Sequence, residues 1–185
     1  MSSKQTELSK WPGYAAAVWG VLFAIPSFGW ATGCTFGAQS TVSPSLVELA
    51  QDRVPWFVAV LVGTGLLKAF GAVIGVGLTR PRGRRLGRTM VFCGSAAAIL
   101  LTWHGGLFVV QGVLVKAGAV APAELVNWYL YLWGPWFIAG GLAFAGAVAE
   151  YLRRCADRRA LTRCGVVGAL GALALSVAAV ATGIG

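Results

Sequence analysis

The chain has 185 residues, of which 57% are hydrophobic and only 11% charged, with 26 glycines and a formal net charge of +9. Soluble domains carry about a quarter charged residues and 45–50% apolar ones, so a mean hydropathy of +0.74 excludes an ordinary water-soluble globule as well as a disordered chain. The same composition supplies enough apolar residues for five membrane spans of ~20 residues each.

Residues 1–10 read as a polar tail. The first span runs over 11–33; it is longer than the apolar core of a signal peptide, and Pro26 inside it predicts a kink. A polar connection follows from Cys34 to Val54, in which PSLVELAQ (Pro44 to Gln51) reads as a short interfacial helix capped by Ser45. The second span covers 55–79 and leads into RPRGRRLGR, Arg80 to Arg88, a block of five arginines. The third span, 89–115, is joined to the fourth, 127–151, by a link holding Lys116, Pro122 and Glu124. A second block, Arg153 to Arg163, again has five arginines, and the fifth span is 164–185. The expected fold is all-α: a single transmembrane bundle over 11–185.

Charge orients it. With the N-terminus inside, Lys4, Lys10 and the two blocks put 12 basic residues on the cytoplasmic side, against Arg53 and Lys116 outside. That asymmetry predicts N-terminus in, C-terminus out, in a bacterial inner membrane. The same arginines suit anionic lipid headgroups; their short blocks between apolar runs argue against nucleic acid. Cys34, Cys93, Cys155 and Cys164 form no CxxC pair and read as small apolar fillers. No nucleotide, metal or triad motif appears, so no cofactor or metal is expected.

Two ionisable residues fall deep inside spans. Lys68 lies about 20 Å below the outer start of the second helix and His104 about 17 Å below the outer end of the third, at 1.5 Å per residue. Both should face the bundle interior, because a lysine at a helix centre costs ~2.5–3.5 kcal/mol on insertion scales. Gln111 sits two turns above His104 on one helix face. Thr64, Gly71 and Gly75 share a similar face with Lys68 and would admit a close neighbour. One reading is a polar pocket in the outer half. The other is a structural pair, with Lys68 satisfied by carbonyls near a kink and His104 by a hydroxyl. By this topology 13 of the 21 aromatic residues lie in the outer half. Trp56 and Trp128 fit an interfacial belt, whereas Trp30, Trp103, Trp133 and Trp136 read either as packing or as walls for an apolar or cationic group. Glu48 and Asp52, four apart, would share a helix face at the outer mouth.

FAIPSFGWATG (Phe23 to Gly33), GTGLLKAFGAV (Gly63 to Val73) and LYLWGPWFIAGGLAF (Leu130 to Phe144) together resemble the signature segments of a family of small, uncharacterised actinobacterial integral membrane proteins. The resemblance covers about 11–152. Where the family pattern has an acidic residue before the proline of the last step, this chain has Gly134. The resemblance implies a fold and a location, not a reaction.

Three functional readings follow. The first is a non-catalytic protein binding a lipid-like amphiphile, with membrane lipids or a hydrophobic, isoprenoid small molecule as partners; the glycine-rich helices also leave room for oligomerisation. The second is a membrane-embedded, acid-initiated cyclase of a prenylated substrate, with Glu48 or Asp52 as the acid and Trp30, Trp133 and Trp136 as cation-stabilising walls. A proton-coupled transporter fits less well, because no inverted repeat is visible.

Overall fold

The computed structural model describes residues 10–121 and 125–182, and all regular secondary structure among them is helical. The tail over residues 1–9, the link residues Pro122 and Glu124, and the final three residues of the fifth span lie outside the described residues. In chain order the helices are α1 (Trp11–Ala31), α2 (Pro44–Gln51), α3 (Pro55–Gly77), α4 (Arg84–Lys116), α5 (Val126–Arg154) and α6 (Arg158–Ala181), with a 3-10 turn at Ala38–Ser40. All but α2 are long and apolar enough to cross a bilayer. The protein is a multi-pass membrane protein.

Local chemistry explains the boundaries. Pro12, Pro44 and Pro55 occupy first-turn positions of α1, α2 and α3, where a missing N–H costs nothing. The cap of α2 is Ser43, one position before Pro44, rather than Ser45. Pro26 lies within α1, which stays α-helical across it from Trp11 to Ala31. Pro135 acts differently. It has no N–H for the Tyr131 carbonyl, and its ring crowds that carbonyl. The chain resolves this with a π-helical stretch at Tyr129–Trp133, immediately before α5 resumes at Gly134.

The arginine blocks are only in part the connections between spans: Arg80 and Arg82 lie in the non-helical link, but Arg153 and Arg154 finish α5. Arg84, Arg85 and Arg88 sit on the opening turns of α4, and Arg158, Arg159 and Arg163 on those of α6, so only Cys155 to Asp157 separate α5 from α6. Arginine is a good helix former, and its long stem lets the charge reach the headgroup layer while the backbone stays helical. At 33 residues α4 is about 50 Å long, more than the ~30 Å hydrocarbon core needs, so its basic start projects beyond that core.

Packing relies on small residues. α1 lies against α3 through Gly13, Ala17 and Gly20 facing Ala72 and Gly75. A Cβ built on Gly75 would fall 2.6 Å from the Ala17 nitrogen, so the two backbones are in contact. α4 holds α5 on one side, where Gly105 meets the Gly134 carbonyl, and α6 on another, where Gly168 meets the Phe92 carbonyl. α1 also packs on α5, and Gly77 and Gly94 bring α3 to α4 against Met90 and Leu78. Tyr151, Phe144, Leu78 and Val91 are fully buried and belong to one apolar cluster that reaches the end where α3 and α5 finish. A second apolar cluster (Trp30, Ala31, Ala38, Val47, Ala50, Phe57, Leu61) lies at the opposite end, under the connection. The bundle thus has an arginine end, where α3 and α5 finish and α4 and α6 begin, and a connection end covered by residues 32–54.

Candidate functional site

Lys68 on α3 reaches across to α1. Its Nζ donates to Ser27 Oγ at 2.8 Å and rests 3.9 Å from the centre of the Phe23 ring. Ser27 is 1% exposed, whereas Lys68 is half-buried. Phe23 and Ser27 are one turn apart, so a single face of α1 supplies both a hydroxyl and a π face. The acceptor is therefore a side-chain hydroxyl next to Pro26 rather than a backbone carbonyl. An ammonium has three N–H donors; Ser27 is the one acceptor Lys68 has among the described residues.

His104 is half-buried on α4, between Phe108 (centroids 4.4 Å apart) and Phe137 (5.0 Å), and makes no hydrogen bond with a described residue. No hydrogen bond joins it to Lys68. Phe23 and Phe137, edge to face at 5.1 Å, link the ring under Lys68 to the ring beside His104. Trp19, Trp133 and Trp136 extend this cluster; Trp19 stacks on Trp136 at 5.8 Å and donates its Nε1 to the Trp136 carbonyl at 2.9 Å. The sequence reading missed Phe23, Ser27, Phe137 and Trp19. Trp19 and Phe23, at i and i+4, were a readable signal, but the pairing of Ser27 with Lys68 was not.

Several indole and phenol groups tie down the connection. Trp133 Nε1 donates to the Ser40 carbonyl at 2.7 Å, Tyr129 to that of Thr41 at 3.1 Å, and Trp30 Nε1 to that of Phe36 at 3.0 Å. The indole N–H groups of Trp103 and Trp136 are buried without an acceptor among the described residues. Gln111 is exposed on α4. Glu48 and Asp52 lie on α2 and at its end, exposed, with no side-chain hydrogen bond or ion pair to a described residue; Val47 and Ala50 are the residues α2 buries. No group of three potential metal ligands occurs among the described residues, and the four cysteines are free thiols.

The arginine end holds two cavities. One, of about 480 Å³, lies between the link that follows α3, the first turns of α4 and α6 and the end of α5, and is lined by Arg82, Arg84, Arg88, Tyr151, Arg154 and Asp157 among others. The other, of about 630 Å³, is an apolar groove running along α1 and α3 to Arg82 and the start of α4. Lys68, His104, Gln111 and the tryptophans singled out in the sequence line neither of them. Arg154 crosses the end of α3, donating to the carbonyls of Thr79 (2.6 Å) and Leu78 (3.1 Å), and its Nε bonds Glu150 of its own helix.

The family model described as "Protein of unknown function (DUF3995)" matches residues 20–144, from the middle of α1 to the middle of α5. No curated protein and no solved structure matches the chain.

Proposed function

This chain belongs to the DUF3995 family of proteins of unknown function, and we propose that it binds, without turning over, a lipid-like amphiphile whose hydrogen-bond-accepting head meets Lys68 and whose apolar body lies on the Phe23–Phe137 aromatic patch. One observation carries the reading: an ammonium deep in a span has a single described acceptor, Ser27. Ionisable groups at that depth are costly and as a rule serve a function. A carboxylate, phosphate or carbonyl on the ligand would take up the remaining donors, and the Phe23 face already favours a cation at this place. His104, against the linked ring, offers a second polar contact. No observation favours the cyclase reading, since both of its acids, Glu48 and Asp52, are exposed on and beside α2.

The experiment is lipid mass spectrometry on the purified protein and on Lys68→Met. The wild type should retain a co-purifying amphiphile, and K68M should hold about a tenth as much or less, the equivalent of ~1.4 kcal/mol. The melting temperature of K68M should be unchanged or raised, because methionine fills the space without a desolvated charge. Equal amounts of the same lipids on both proteins would refute the site.

For orientation we propose that the arginine end faces the cytoplasm of a bacterial cell, on the strength of the basic asymmetry counted above. Reporter fusions at Gly83 and Asp157 are expected to give cytoplasmic signals; an exported signal at either position would invert the topology.

A further inference from the structure

The cavity at the arginine end contains more positive charge than its protein partners can satisfy. Arg154 is engaged by the carbonyls of Leu78, Thr79 and Glu150. Arg84 faces Asp157, the one carboxylate lining the cavity, at 3.8 Å. Arg82 is exposed and Arg88 half-buried; neither guanidinium has an acceptor among the described residues, and the Nε of Arg88 is shut off from solvent as well. A charged N–H donor cut off from both solvent and acceptor is costly, so this group calls for an anion. The surroundings are suited to receive it. α4 and α6 both begin beside the cavity, and their free N–H groups and dipoles favour negative charge. The Tyr151 hydroxyl accepts the backbone N–H of Arg82 at 3.1 Å and fixes that residue at the rim.

Arg82 also lines the apolar groove, whose walls include Val18, Val21 and Leu22 of α1, Val73 and Val76 of α3, and Leu86 of α4. A cationic cavity with room for a phosphate headgroup and an apolar groove with room for an acyl chain therefore meet at one side chain, Arg82. We propose that this end of the bundle is a binding site for an anionic phospholipid, its phosphate bridging Arg82 and Arg88 and one acyl chain lying in the groove between α1 and α3. Guanidinium groups bind phosphate oxygens in a fork, and basic pockets between membrane helices hold anionic headgroups. The site is separate from that of Lys68 and does not depend on it.

The test uses the full chain in nanodiscs of phosphatidylcholine with increasing phosphatidylglycerol, read by native mass spectrometry of retained lipid and by melting temperature, with inorganic phosphate as a separate arm. Wild type should retain phosphatidylglycerol and melt higher as its share rises. Arg82→Gln with Arg88→Gln should need about tenfold more phosphatidylglycerol for the same retention. Arg159→Gln with Arg163→Gln, which removes the same charge from exposed positions of α6 outside the cavity, should behave as wild type. If the double variant is not monodisperse, Arg88→Gln alone should show the loss. Equal losses in both double variants would reduce the effect to bulk charge and overturn the site, as would undiminished retention by R88Q. Stabilisation by millimolar inorganic phosphate matching that of the lipid would assign the cavity to free phosphate and overturn the lipid.

Discussion

Replacing Gly75 with leucine is expected to leave no folded bundle to purify. A Cβ there would fall 2.6 Å from the Ala17 nitrogen, 2.9 Å from the Gly13 carbonyl oxygen and 3.0 Å from the Ala17 Cα. All three are backbone atoms, which no rotamer change can move aside. Overpacking against movable side chains already costs ~1–3 kcal/mol, and here α1 must separate from α3 along its length. Separation would also pull Ser27 away from Lys68, leaving the ammonium without its acceptor. The matched control is Gly63→Leu on the same helix, where nothing lies within 4 Å of the added carbon. Size-exclusion profiles and melting in detergent should show an aggregated or unstable G75L beside an unaffected G63L. A G75L protein that melts like the wild type would mean that α1 and α3 do not pack through this face.

Removing the Arg154 side chain should produce the second large effect. It bonds the carbonyls of Leu78 and Thr79, where α3 has ended and its last acceptors need partners. Leu78 is 0% and Thr79 3% exposed, so water has poor access to these groups. At ~1–3 kcal/mol for each unsatisfied group, Arg154→Ala should lose roughly 2–5 kcal/mol of stability. The positive charge at the end of the α3 dipole is lost as well. Arg154→Lys should fall between the two proteins, because an ammonium keeps the charge but cannot fork across two carbonyls. Denaturant titration in mixed micelles reads the order; an R154A midpoint equal to that of the wild type would show the contact to be dispensable.

The spans were legible because a bilayer makes a blunt demand: about twenty apolar residues in a row. The ends of the helices were less so. The arginine blocks were legible as charge but not as conformation, since arginine suits a helix as well as a loop; whether Arg84 and Arg158 open helices depends on where the headgroup layer falls. Pro26 and Pro135 look alike in sequence, yet one is absorbed in an α-helix and the other is preceded by a π turn. At the site, Lys68 announced itself by depth alone. Depth is one coordinate, and the other, the direction in which each helix turns its face, is set by packing. That is why His104, at similar depth, meets Phe108 and Phe137 rather than the ammonium. The shared face of Glu48 and Asp52 could be read from their spacing, but not that α2 would bury Val47 and Ala50 instead.

The π-helical stretch of α5 divides that helix into two segments whose rotations are set separately. Beyond it, Gly134 and Gly141 fix the phase by meeting α4 at Gly105 and Ala98. At its start, Tyr129 is held by the hydrogen bond it donates to Thr41. Each α-helical residue turns the chain by about 100° and a π-helical one by less, so the five residues Tyr129–Trp133 turn the helix about as far as four α-helical ones would, and the extra residue is absorbed without rotating Val126 to Trp128 against the half that follows. The wide turn is thus slack in an otherwise stiff rod: it takes up one residue more than an α-helix would and lets the connection and the membrane core each keep their own contacts on either side of Pro135.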